Sequence, residues 1–405
     1  MKETAKIVKW LRQNSLYPET PVVNSPHAVE VLVNTKKKLL FATNNYLGMT
    51  HDSRVVVAAI EGTKKWGIGN GSARLLTGNL EIHQQLEKKI AGFKLRSAAL
   101  TFVSGYMANS GSIPALARIY DPSRFSYLRG ALQRTENCVI FSDELNHASI
   151  IAGVKMSGVP KEIYKHTDMK DLEAKLNKYS RSIRKIIITD GVFSMDGDVA
   201  PLPNILSLAK KHAASVYLDD AHATGILGDS GRGLEDYYHV EGQSEIVMGT
   251  FTKAFGGVGG FIVGDQSLID YLRVSSDTFI FTAPIAPPVV CGLIKSIDIV
   301  ARERWRRERV ISNATYLREQ LRSLDFDTFN SSTQIIPVSV GNEKKALMAS
   351  KILFDRYDIF IPAARWPAVP KGEARLRMTV TCEHEKKHID YLIASLCAVR
   401  KELSF

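Results

Sequence analysis

Lys253 lies in the run Thr250-Phe251-Thr252-Lys253-Ala254-Phe255-Gly256-Gly257, among small and apolar residues at the entrance to a glycine-rich turn. A free lysine amine titrates near ~10.4 and is a poor nucleophile at neutral pH. Condensation with an aldehyde to a Schiff base removes that obstacle. Thr250 and Thr252 can offer hydroxyls to a phosphate. Taken alone, the run also reads as an exposed loop. A second candidate is Asp219-Asp220-Ala221-His222. A carboxylate there can pair with a protonated heterocyclic nitrogen, and His222 lies close if the chain turns. The plainer reading of Asp219 is a cap for the next turn.

Three further segments carry usable groups. Ser104-Gly105-Tyr106 has the form of a tight turn opening a helix, whose free N–H groups suit a phosphate. His147, in Asn146-His147-Ala148-Ser149, can stack on an aromatic ring, although a lone histidine is often structural. Ser194, in Gly191-Val192-Phe193-Ser194-Met195-Asp196-Gly197-Asp198, can hydrogen-bond a phenolic oxygen. Its loop is equally explained as one stabilised by aspartates.

Each segment directly follows a short apolar run: Ala98–Val103, Cys138–Phe141, Ile186–Thr189, Ser215–Leu218 and Ile246–Gly249. Helical periods lie between the runs, for example over Leu172–Tyr179 and Ile205–His212. Strands alternating with helices predict an α/β fold with a mostly parallel sheet covered on both faces. Ligands of such sheets gather at the carboxyl ends of the strands. Gly259–Gly264 adds a further short strand. From about residue 296 the pattern changes to a long charged helix over Asp298–Leu324. The strands Ile335–Val340, Ile359–Ile361 and Arg375–Thr381 follow, then a closing helix over Glu385–Leu403. The expected organisation is an arm over 1–45, a large domain over 46–295 and a small α+β domain over 296–405. Five strand ends thus offer a phosphate turn, a stacking histidine, a hydroxyl, an Asp/His pair and a lysine. That inventory suits pyridoxal 5'-phosphate, whose ring acts as an electron sink when an acid keeps its nitrogen protonated.

Bulk properties fit an enzyme of this kind. The chain has 405 residues, 45% of them hydrophobic and 23% charged, as in ordinary globular proteins. No apolar run reaches the ~20 residues of a membrane span. The N-terminus lacks the apolar stretch of a secretory signal; Ile7, Trp10 and Leu11 fit one face of a short helix instead. The four cysteines are scattered singly, so neither a metal site nor a disulfide framework is indicated, and a reducing cytoplasm fits. The net charge of +11 is dispersed, apart from Lys36-Lys37-Lys38 and the Arg302–Arg309 stretch, which reads as an exposed helix face. Nucleic acid is therefore not the expected partner. An anionic substrate such as a coenzyme A thioester is compatible with the charge.

The motifs around Lys253, Asp219 and Ser194 resemble those of the α-oxoamine synthases, a branch of the fold-type I pyridoxal-phosphate enzymes. The resemblance runs from Asn44-Asn45-Tyr46-Leu47-Gly48 to Ala374-Arg-Leu-Arg-Met-Thr-Val380. Gly67–Asn79 and His83-Gln-Gln-Leu-Glu87 share in it. It implies that Lys253 carries the cofactor, Asp219 faces the pyridine nitrogen, and His222 and Ser194 face the phenolic oxygen. It further implies that His147 stacks on the ring, while Gly105, Tyr106 and Thr250 approach the phosphate. Thr282 resembles a contact made to the phosphate from the partner subunit of a homodimer. Asn44 and one of Arg375 and Arg377 resemble the grip on an amino-acid carboxylate. Both arginines share one face of a strand, so periodicity does not choose between them; the resemblance favours Arg377. The implied reaction joins a small amino acid to an acyl-CoA or acyl-carrier-protein thioester, with release of CO2 and an aminoketone. Three segments depart from the family pattern: a longer connection over Ile119–Asn137, Pro284 where a small hydroxyl residue is common, and Ala363–Pro370 with Trp366. A lysine-less scaffold subunit or a plain aminotransferase would be the alternatives of other class.

Overall fold

The structure is a computed structural model that describes residues 2–13, 17, 20–126, 131–134 and 137–405. A seven-stranded sheet runs in the order Ala98–Phe102, Gly260–Gly264, Ile246–Thr250, Ala214–Asp219, Arg184–Asp190, Cys138–Asp143, Lys161–Tyr164. Gly260–Gly264 is antiparallel to both of its neighbours, and the remaining pairings are parallel. The apolar runs are continuous because both faces are covered. Val139 and Phe141 join one core with Ile187, Val216 and Val247. Cys138 and Ile140 join another with Ile186, Ile188 and Met248. Alternation along each strand sends neighbours to opposite faces.

The long helix expected over Asp298–Leu324 is two helices, Pro287–Arg302 and Arg304–Ser323. The break at Glu303 has a cause in packing. Ile297 and Ile299 belong to the core of the large sheet, whereas Leu317 and Leu321 belong to a separate core. One straight rod does not serve both. Arg302–Arg309 is also not simply an exposed face. Arg306 is buried and donates to the Leu47 carbonyl, Asp52 and Glu303, while Arg307 is buried and donates to the Asp229 carbonyl.

The second core lies under an antiparallel sheet of Ile335–Gly341, Ala374–Thr379 and Ala363–Ala364. The helices Glu343–Arg356 and Lys386–Leu403 supply Leu353, Leu392 and Leu396 to it. Part of the expected arm belongs here too. Lys36–Leu40 pairs with Glu30–Val33 and lies parallel to Ile359–Phe360, and Leu39 and Phe41 enter the second core. Lys38 is buried and paired with Asp358 at 2.7 Å, so the basic triplet is not a continuous surface patch. Lys2–Gln13 is helical. Within the long connection after residue 119, Tyr120–Ser126 pairs with Ala131–Arg134 as an antiparallel ladder. Tyr127 lies outside the described residues.

The two cores meet at the loop that carries Ser194. Gly197 has φ +72, and a Cβ built on it would sit 2.1 Å from the Ile335 carbonyl oxygen. Thr333 Oγ1 donates to the Gly197 carbonyl at 2.8 Å. Left-handed backbone is costly for other residues, and the carbonyl leaves no room for a methyl group. Gly197→Ala is expected to destabilise the protein by about 2 kcal/mol or more, read as a lower urea midpoint with an unchanged m-value.

Candidate active site

Because the strands are parallel, the carboxyl ends of five of them open on one edge of the sheet. At the first, Ser104 caps the helix Gly105–Ala117, its Oγ accepting the Met107 amide at 3.1 Å. The first amides of a helix have no partner inside it, so those of Gly105 and Tyr106 are available to an anion. The turn abuts the neighbouring strands. A Cβ on Gly260 would lie 2.6 Å from Gly105 Cα, and one on Gly105 would lie 3.4 Å from Thr250 Oγ1. The Thr250 hydroxyl donates to the Gly259 carbonyl at 2.9 Å and accepts the Thr252 amide at 3.2 Å. It must turn before it can donate to a phosphate. Thr252 is exposed beside it.

Asp219 ends its strand and is 3% exposed. Asn109 Nδ2, from the helix behind the Ser-Gly turn, donates to its Oδ2 at 2.7 Å, and the Ala221 amide donates to Oδ1 at 3.1 Å. Asp190 is its register partner on the next strand and accepts the His147 amide at 2.7 Å. Burial pushes the Asp190 carboxyl well up, and the charge of Asp219 adds to the rise. Lys253 is half-buried in the turn after Ile246–Thr250. Burial lowers its basicity, and the carboxylates of Asp219 and Asp190 only partly restore it. An amine that loses its proton more readily is what Schiff-base chemistry requires.

Two histidines flank this centre. His147 caps the helix Ala148–Ser157, with Nδ1 2.7 Å from Ser149 Oγ and accepting the Ser149 amide. The residue is exposed, yet the surrounding protein desolvates its ring enough to lower its pKa, as does the charge of Lys253. His222 is buried, with Nδ1 2.8 Å from the Tyr46 hydroxyl. Burial holds its pKa well below the usual value, helped by the charges of Lys253 and Arg377. The ring is therefore neutral. Nδ1 is engaged by Tyr46, and Nε2 has no hydrogen-bond partner among the described residues.

The two arginines separate. Arg375 is buried, paired with Asp196 and with Glu373, and its guanidinium lies over the Phe329 ring at 4.1 Å. Arg377 is half-exposed, donates from Nε to the Ser194 carbonyl at 2.5 Å, and acts electrostatically on Lys253 and His222. Asn44 is exposed and joins through Tyr46, whose hydroxyl lies 3.1 Å from Asn44 Oδ1. Thr282 is not drawn in. Its hydroxyl donates to the Thr278 carbonyl in its own turn. Lys253, Asp219, His147, His222 and Arg377 thus act on one another, with Ser194 and Asn44 one contact away.

These residues fit pyridoxal phosphate on physical grounds. A fixed buried carboxylate, a lysine of lowered basicity, a neutral histidine and a glycine-walled helix start lie at one sheet edge. Three contributors escaped the motif reading. Asn109 is a buried amide in a helix of small residues, and only its position could have singled it out. Tyr46 sits inside the quoted Asn44–Gly48 run. Asp190 is the last residue of its strand and looked like part of the loop after it.

A family model described as aminotransferase class I and II matches residues 36–396. The chain is 42% identical over 395 residues to an 8-amino-7-oxononanoate synthase of Thermoanaerobacter pseudethanolicus, covering 97% of this chain and 95% of that protein. It is 39% identical over 399 residues to the one from Thermosipho melanesiensis, covering 98% and 97%. Among solved structures, a serine palmitoyltransferase from S. paucimobilis with a bound PLP–myriocin aldimine superposes with a TM-score of 0.91 at 30% identity, covering 99% of this chain and 98% of that one. An 8-amino-7-oxononanoate synthase from Francisella tularensis, 23% identical with a TM-score of 0.74 over 91% and 98%, shares the fold.

The geometry predicts different outcomes for the paired arginines. Arg375→Leu breaks a buried ion pair and is expected to cost about 3 kcal/mol. Arg377→Leu, half-exposed, is expected to cost less than about 1 kcal/mol. Denaturant melts of both proteins check the ranking.

Proposed function

The chain belongs to the class I and II aminotransferase family, in its α-oxoamine synthase branch, and from that premise we propose that it is a decarboxylative C-acyltransferase acting on a small amino acid and an acyl thioester. The products are an α-aminoketone, CO2 and a free thiol from coenzyme A or a carrier protein. The favoured pair is alanine with a pimeloyl thioester. Near-full-length similarity to proteins named 8-amino-7-oxononanoate synthase supports it. The observation that carries the reaction type is the set of Lys253, Asp219, His147 and His222 acting on one another at one sheet edge.

When bound, the pyridoxal ring supplies a sink for the electrons of the substrate α-carbon. Lys253 would hold the cofactor and, as a free amine, would take the substrate α-proton; burial lowers its basicity in that direction. Asp219 keeps a proton on the ring nitrogen, and Asn109 stops that carboxylate from turning away. His147 would stack on the ring and polarise the thioester carbonyl. His222 and Ser194 would face the phenolic oxygen. Ser104, Gly105, Tyr106, Thr250 and Thr252 line the phosphate turn. Arg377 and Asn44 receive the amino-acid carboxylate, whereas Arg375 acts by holding the loop through Asp196.

The working unit is a homodimer. Ile68 and Leu76, in the Gly67–Asn79 segment, and Phe281, beside Thr282, are each more than three-quarters exposed. A second copy would cover these side chains and bring Thr282 to the other subunit's phosphate. Among the described residues no helix is long and apolar enough to cross a membrane; cytoplasmic work on soluble thioesters is the proposed setting. A second reading is supported by the close superposition on serine palmitoyltransferase. It keeps the chemistry and changes the pair to serine and a long-chain thioester.

Two experiments test this reading. An amino-acid by acyl-thioester matrix, scored by thiol release and product mass, should be highest for alanine with pimeloyl thioester. Highest turnover of serine with palmitoyl-CoA would select the second reading, and thiol release independent of any amino acid would sink both. Lys253→Ala should lose borohydride-reducible cofactor and at least about a thousandfold in turnover. Arg377→Ala should raise KM for the amino acid by about tenfold or more, with a smaller effect on KM for the thioester.

A further inference from the structure

His166 lies in the turn after the edge strand Lys161–Tyr164, and none of the roles above uses it. Its Nδ1 lies 3.0 Å from Asp143 Oδ1 and its Nε2 lies 2.9 Å from Asp198 Oδ2. A neutral imidazole has a single N–H and would turn a lone pair on one of these carboxylates. Two carboxylates facing both ring nitrogens call for the doubly protonated ring. Burial alone would lower its pKa, but the hydrogen bonds and charges of Asp143 and Asp198 outweigh that and hold it up at about 10. The ring also stands edge-on to Phe193, centroids 4.4 Å apart.

The two carboxylates belong to two different functional turns. Asp143 ends the strand Cys138–Asp143 and shapes the turn that leads to His147. Its Oδ1 accepts the Leu145 amide at 2.9 Å and its carbonyl accepts the Asn146 amide at 3.2 Å. Asp198 closes the loop that carries Ser194. Its carbonyl accepts the Phe193 amide at 3.1 Å, and the Phe193 carbonyl accepts the Gly197 amide at 2.8 Å. Asp198 Oδ1 is buried without a protein partner among the described residues, and its Oδ2 pairs with His166.

We propose that His166 is a positioning residue: as an imidazolium bridging Asp143 and Asp198, it fixes the turn presenting His147 against the loop presenting Ser194. The proposal rests on the reading of His147 and Ser194 as cofactor contacts. It gives the turn after the edge strand Lys161–Tyr164 a task in the reaction, because the residue that sets the spacing of the two groups comes from it.

The test compares parent, His166→Ala, His166→Gln, Ser194→Ala and the His166→Ala/Ser194→Ala double variant. Each is loaded with pyridoxal phosphate. The readouts are the absorbance band of the bound cofactor, the Kd for pyridoxal phosphate, kcat, and both KM values. His166→Ala should shift the band, raise Kd and lower kcat by roughly tenfold to a hundredfold, the scale of an ångström-sized displacement of reacting groups. His166→Gln, which restores a donor without the charge, should fall between it and the parent. Ser194→Ala should shift the band, and adding it to His166→Ala should change kcat by less than the product of the single effects. Should His166→Ala fail to fold, Asp198→Asn loosens the same bridge and should shift the band in the same direction. A parent-like band and kcat in His166→Ala, or single effects that simply multiply, would overturn the clamp. A Ser194→Ala protein with an unmoved band would refute the placement of Ser194 at the cofactor, and with it the route by which the clamp acts.

Discussion

Charges that meet in a dry place must be compensated one by one, and the strand ends here are organised by that requirement. An unpaired buried ion costs several kcal/mol, whereas two opposite charges ~4 Å apart recover about 4 kcal/mol at the effective dielectric of a protein site. Asp219 therefore cannot stand alone at 3% exposure. Asn109 and the Ala221 amide hold its two oxygens, and the carboxylate also acts electrostatically on Lys253. The Asn109 tether also fixes the helix Gly105–Ala117 against the sheet. The start of that helix is the phosphate turn, so the position of the anion site follows from the need to satisfy one carboxylate.

The same logic couples the smaller antiparallel sheet to the larger one. Asp196 and the Ser194 carbonyl receive Arg375 and Arg377 from a single strand, two residues apart. One arginine is spent on the joint and the other is left facing the cleft. A strand with both arginines on one face can do this because its pleat places them about 7 Å apart, Arg375 on Asp196 and Arg377 on the Ser194 carbonyl, near enough to act on Lys253. Substrate recognition and the attachment of the second core are thus neighbouring uses of one short strand.

Much of this was legible from residue types and spacing. The runs over Ile186–Thr189 and Ile246–Gly249 are strands because both sheet faces are covered, and continuous apolarity reports that directly. Lys253, Asp219 and His222 stand at strand ends, where a parallel sheet gathers its ligands. The break at Glu303 was not legible, because periodicity says that a helix is amphipathic without saying which core each half enters. Arg306 and Arg307 look like surface charge in a run of basic residues, and their acceptors lie far away in the chain. Asn109 and His166 were missed for the same reason. A buried amide and a turn histidine acquire meaning only through carboxylates brought up by other strands.

The strand Lys36–Leu40 has a kinetic meaning beyond its place in the second core. Its neighbour there is Ile359–Phe360, and Lys38 pairs with a residue 320 positions later in the chain. At ~5–20 residues per second, a ribosome takes about 15–60 s to deliver that partner. By the end of that interval the large sheet, whose last strand is Gly260–Gly264, is complete in sequence and free to fold, while the early strand has an open edge and two apolar residues, Leu39 and Phe41, without their core. The exposed Lys36 and Lys37 at its start suit a strand that must wait, since charge on an open edge opposes pairing with other chains. The second core therefore cannot close until the chain is nearly finished, although one of its segments is made among the first.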